Sequence, residues 1–147
     1  MKKSLLSILL FTGSLLAEEP KAVEKLSNEL QNLLSLEMLQ IEKGMHKIFS
    51  HIIRGEYEQI NKSALKIRDS FILRKKLTKA QRNEIKQLPK AFLELDHSFH
   101  ETAGDLANAA EFGDKDSVVE YYQKMTAKCV QCHSKFATFR FKSFKED

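Results

Sequence analysis

The sequence predicts an all-α protein, an antiparallel four-helix bundle. Apolar residues recur every three or four positions over four long stretches, which is the period of one helix face rather than of a strand. Gly55, Pro89 and Gly113 punctuate those stretches where helices would stop or start. No sustained strand alternation, internal repeat or low-complexity tract competes with this reading, and the links are mostly short, as antiparallel neighbours require.

The first helix opens near Pro20 and carries Val23, Leu26, Leu30, Leu34, Met38, Ile41, Met45, Ile48 and Ile52 on one stripe, with Gly55 as its stop. Gly44 within it is a weak point that marks a candidate kink. A second helix is expected from about Glu56 to Lys76, with Ile60, Ala64, Ile67 and Phe71 inward. The segment from Leu77 to Leu88 is polar, and Thr78 is a candidate cap for a short extra turn. Pro89 starts the third long helix, which carries Phe92, Leu95, Phe99, Ala103, Leu106 and Ala110. Asp114 or Asp116 then caps a fourth, with Val118, Val119, Tyr122, Met125, Cys129, Cys132, His133 and Phe136 as its inner residues.

Ahead of the bundle, Lys2 and Lys3 precede an apolar run from Ser4 to Leu16 that is short for a membrane span, and Ala17 offers a small residue before Glu18 and Glu19. This pattern predicts a secretory signal peptide over residues 1–17 and a single domain over 18–147. No stable membrane insertion is expected once the signal is removed. The net charge is +4, from 24 basic against 20 acidic residues; without Lys2 and Lys3 it is 22 against 20, or +2. So small an excess is poor evidence for nucleic acid or an anionic membrane as partner.

Cys129-Val130-Gln131-Cys132-His133 is the motif that carries chemistry. Cys-x-x-Cys-His is the attachment signature of c-type haem: two thiols form thioethers with the porphyrin, and the adjacent imidazole ligates the iron. On a helix, positions 129, 132 and 133 share a face, so one haem edge meets all three. A thioredoxin-like site would want a strand-helix-strand surround. Zinc would want four ligands, and the chain has no third cysteine, although His46, His51, His97 and His100 are available to supplement a pair. A disulfide across two residues would close a trivially short loop. The expected cofactor is one covalently attached haem c per chain, held by Cys129 and Cys132 with His133 as proximal ligand. Because such haem is attached outside the bacterial cytoplasm, the signal and the motif together predict a periplasmic protein.

Helix counting selects a residue to face His133. If the first and fourth helices are antiparallel neighbours, Arg54 lies level with Asp116, and His133 lies 17 residues farther along. Counting back 17 from Arg54 reaches residue 37, next to Met38, within about four residues or about 6 Å. Met45 is farther off, and His46 and His51 are worse. Met38 is therefore the candidate distal iron ligand, since a thioether is a common partner to histidine in electron-transfer haems. A methionine on an apolar stripe also serves as ordinary core filler.

With four helices, a C-terminal Cys129–His133 motif and Gly55-Glu56-Tyr57-Glu58-Gln59-Ile60 between the first two helices, the mature chain resembles a class II c-type cytochrome, the cytochrome c-prime family. The resemblance implies one of two branches. High-spin members keep a five-coordinate iron under a Leu or aromatic residue and bind nitric oxide or carbon monoxide, whereas low-spin members take a first-helix methionine as sixth ligand and carry electrons. Met38 resembles the second. High-spin members also typically carry an Arg where this chain has Leu34, and many have Tyr-Arg or Tyr-Lys where this chain has Phe136 and Ala137.

The expected function is thus single-electron transport between periplasmic redox proteins acting as donor and acceptor, with five-coordinate gas binding as the alternative. Lys124, Lys128, Lys135, Arg140, Lys142 and Lys145 lie around the motif and either steer an acidic partner or form a solvated helix face. Phe136, Phe139, Phe141 and Phe144 make an aromatic tail with three roles open to it: covering the haem, continuing the packing of the fourth helix, or forming a homodimer contact. The remaining histidines read as surface residues. No nucleophile with an adjacent base, phosphate loop or aromatic-basic nucleic-acid surface is visible, so the chain is expected not to be an enzyme.

Overall fold

The computed structural model describes residues 23–70 and 77–144. The expected signal peptide, Pro20, Phe71 and Lys145 lie outside the described residues. Four long helices, α1 (Asn28–Ile52), α2 (Tyr57–Arg68), α4 (Lys90–Glu111) and α5 (Lys115–Phe136), form the bundle, with a short α3 (Lys79–Ile85) in the link between α2 and α4. No strand occurs among the described residues. Single 3-10 turns precede α1 at Val23–Lys25 and follow α5 at Lys142–Phe144. None of the helices among the described residues is long and apolar enough to cross a membrane.

The expected elements appear, with corrections to the start of the first and the end of the second. The first helix starts at Asn28 rather than near Pro20, because the chain breaks at Ser27, whose backbone N–H donates to Glu84 Oε2 of α3 at 2.8 Å. The second stops at Arg68, not Lys76; the Ser70 hydroxyl and the Ser70 N–H both return to the Ile67 carbonyl, which closes the helix end. Thr78 does cap the short extra helix, through a reciprocal capping box with Gln81. Asp114, not Asp116, caps α5 by accepting from the Ser117 N–H at 3.1 Å. Gly55 and Gly113 both take φ +67°, the left-handed turn geometry that favours glycine after a helix.

Gly44 is no break: α1 is helical from end to end across it. A Cβ there would lie 2.9 Å from Ile67 Cδ1, so the glycine admits α2 rather than bending α1. Ile67 is in turn nearly sealed, alongside the fully buried Ile48, Ile60, Leu106 and Met125 in the main core. Burial of each such side chain contributes about 1.5–3 kcal/mol. Val119, expected inside, is exposed; Val118 takes the inner position.

Interhelical contacts set the register. Asn61 Nδ2 donates to the Ala107 carbonyl at 2.9 Å and His100 Nδ1 to the Ile67 carbonyl at 2.8 Å, which makes α2 and α4 antiparallel. Phe92 meets Phe136, and Lys128 bonds Ser98, which does the same for α4 and α5. Phe49 and Tyr122, at 6.2 Å between ring centroids, tie α1 to α5 near the end of the bundle where the α1–α2 and α4–α5 turns lie. Of the four seams between long helices, the one between α1 and α5 brings the backbones close together at the fewest positions.

Candidate functional site

The α1–α5 seam opens, two helical turns beyond the Phe49–Tyr122 contact, onto a cavity of about 50 Å³. Met38 and Ile41 line it from α1, Leu95, Asp96 and Phe99 from α4, and Lys128, Cys129, Cys132 and His133 from α5. The four residues singled out in sequence are therefore brought together, with Met38 on the helix across the seam from the other three. Met45 is instead buried in the main core, His46 is exposed, and His51 is bonded to Glu56 near the α1–α2 turn.

The electrostatics of the two thiols bear on what they can do. Cys129 and Cys132 are free and half-buried. Burial pushes the Cys132 thiol up to about 12, with Asp96 and Cys129 adding to the effect, and burial also raises Cys129. A thioredoxin-type cysteine is pushed the other way, usually at a helix N-terminus. Here the pair sits in the last turns of α5, where the helix dipole opposes a thiolate. The donor set thus disfavours dithiol redox exchange and zinc thiolate binding, both of which need the ionised sulfur. Burial, helped by the Arg140 charge, lowers the proton affinity of His133, keeping its imidazole neutral and able to ligate.

The same residues fit a haem. Two neutral thiols and a neutral imidazole on one helix face would supply attachment and a proximal ligand, a thioether across the seam would be within the same cavity, and Ile41, Leu95 and Phe99 would give an apolar surround. The cavity is far smaller than the roughly 300–1,000 Å³ of a drug-sized ligand site.

A family model of cytochrome c' matches residues 35–137, which takes in all of α2 to α5 and most of α1. The chain belongs to the cytochrome c' family. No curated protein and no solved structure matches it. A cytochrome c' is a c-type cytochrome, and family membership implies covalently attached haem c.

Asp96 and His100 are the residues that sequence reasoning missed in and beside this cytochrome site. Asp96 shares the α4 stripe of Phe92 and Phe99, and a carboxylate on an apolar stripe was the available signal. Its side chain is only 15% exposed, and burial pushes it up to about 6. His100, expected at the surface, is buried: its Nδ1–H donates to the Ile67 carbonyl at the end of α2, which Ser70 also bonds, and its Nε2 lies 3.8 Å from Asp96 Oδ1. His97 does stay at the surface, beside Glu101. Among the flanking cations, Lys128 lines the cavity, whereas Lys124 is paired with Glu120.

Proposed function

We propose that this cytochrome is a periplasmic electron carrier with one haem per chain, in which Cys129 and Cys132 would hold the haem and His133 and Met38 would ligate its iron from opposite sides. When bound, the haem supplies a one-electron Fe(III)/Fe(II) couple. The observation that carries the reading is the position of Met38 on α1, lining the same cavity as the attachment motif on α5. A soft sulfur ligand in an apolar surround favours the ferrous state and raises the potential relative to two histidines. The N-terminal signal pattern supports export, and the half-buried Lys128 at the cavity offers a cation toward an acidic redox partner.

Five-coordinate gas binding is the second reading, and the family itself favours it. Ile41, Leu95 and Phe99 would leave an apolar distal space if Met38 packs as a core residue instead of ligating. Optical and EPR spectra of the purified holoprotein separate the two. A low-spin ferric and ferrous haem is expected; a high-spin ferrous haem that takes up carbon monoxide without losing a ligand would establish the gas-binding reading instead. Haem staining after denaturing electrophoresis checks the attachment, which should vanish in the Cys129→Ala, Cys132→Ala double variant.

A further inference from the structure

Phe141 stacks on the imidazole of His133, with ring centroids 4.4 Å apart and planes inclined by 22°. The tail is turned back to reach it. Beyond the end of α5, the Arg140 and Phe141 N–H groups both donate to the Ala137 carbonyl, at 3.0 and 2.9 Å, and the 3-10 turn at Lys142–Phe144 continues the reversal. The hinge of this reversal is firm, because Phe136 at the end of α5 is buried edge-on against Phe92 at 5.3 Å. Phe144 also leans on Phe141 at 6.4 Å, and the Arg140 guanidinium lies 5.9 Å from its centroid.

Such a stack is compatible with metal ligation. The nitrogen lone pairs of an imidazole lie in the ring plane, so a partner on one face leaves them free. What it restricts is rotation about the Cβ–Cγ bond, the motion that turns the ring plane. Groups that hold a ligating histidine in one orientation tune the metal it binds. Phe141 is still 37% exposed, so burial of its own surface is only part of what its placement achieves.

We propose that Phe141 is a positioning residue for the iron ligand, clamping the His133 imidazole in one plane and shielding that face from water. The inference rests on His133 being the proximal ligand and is independent of whether Met38 ligates opposite it.

The test compares wild-type holoprotein with Phe141→Ala, Phe141→Leu and Phe141→Tyr. Two readouts are taken: the paramagnetically shifted haem methyl resonances of the ferric protein, which report the imidazole plane, and the reduction potential. The Ala variant should alter the order or spread of the methyl shifts and lower the potential, as water reaches the ligand. The Tyr variant should keep both wild-type values, and the Leu variant should keep the potential but not the methyl pattern. An Ala variant with the wild-type methyl pattern would overturn the proposal, as would a Leu variant indistinguishable from Tyr. If the Ala variant does not fold, the Leu and Tyr contrast decides alone. Wild-type protein without covalent haem would overturn both this proposal and the cytochrome reading of the site, whereas attached haem with an unmoved methyl pattern overturns this one only.

Discussion

Phe49 of α1 and Tyr122 of α5 pack with their ring centroids 6.2 Å apart, and eleven residues from that pair, in opposite directions along the two helices, stand Met38 and His133. Antiparallel helices rise equally per residue, so equal counts from a shared contact reach the same level. The pairing of Arg54 with Asp116 assumed from sequence differs from this register by one residue. Both Met38 and His133 line the cavity at the seam.

Met38→Ala is accordingly expected to convert a low-spin haem spectrum to a high-spin one. Met45→Ala should leave coordination unchanged and instead cost about 2–5 kcal/mol of stability, as a buried core truncation does. Optical spectra and thermal melts of both variants check this; the opposite pattern would move the ligand two turns along α1.

Asp96 gives stability a pH dependence of defined sign. Its carboxyl titrates near 6 in the folded protein because it is buried, above the ordinary range that applies once unfolded. The folded state therefore holds the proton more tightly, and this contribution to stability falls as pH rises from about 4 to about 6. The loss is complete above the folded value. Asp96→Asn should flatten that part of the profile and stabilise the protein at neutral pH by on the order of 2 kcal/mol. Thermal melts between pH 4 and 7 measure it, and parallel profiles for the two proteins would contradict it.

Gly44→Ala sets helix propensity against packing. Alanine gains about 1 kcal/mol in the helix, but its Cβ would press on Ile67, and overpacking of this kind costs about 1–3 kcal/mol. A net destabilisation of about 1 kcal/mol is expected. Adding Ile67→Val removes the Cδ1 methyl that meets the new Cβ, so the pair should be less damaging than the sum of the single variants. Denaturant melts of the four proteins in the cycle supply the coupling.

Thr78→Ala removes one half of the capping box at the start of α3 and should lower stability by about 1 kcal/mol. Thr78→Ser, which keeps the acceptor oxygen, should restore most of it. Hydrogen exchange at the Gln81 amide is the local measure, since that N–H loses its acceptor in the Ala variant only.

The haem motif, the four amphipathic stripes and the level of Met38 were all legible in the residues, because each depends on spacing along one or two regular helices. The cap at Thr78 was legible for the same reason, being complete within four residues. Burial of polar groups was not. His100 is inside because α2 ends at Arg68 and presents the Ile67 carbonyl to it, and Asp96 because α5 carries Cys132 beside it. Gly44 likewise appeared as a flaw in α1 until α2 was seen to need the space. The stack of Phe141 on His133 depends on a chain reversal that no periodic pattern announces. Short-range spacing encodes which face of a helix is apolar and which cofactor its cysteines suit. Which polar side chain shares that interior, and which ring closes over the ligand, was decided only when remote segments packed together and left those groups no other place to go.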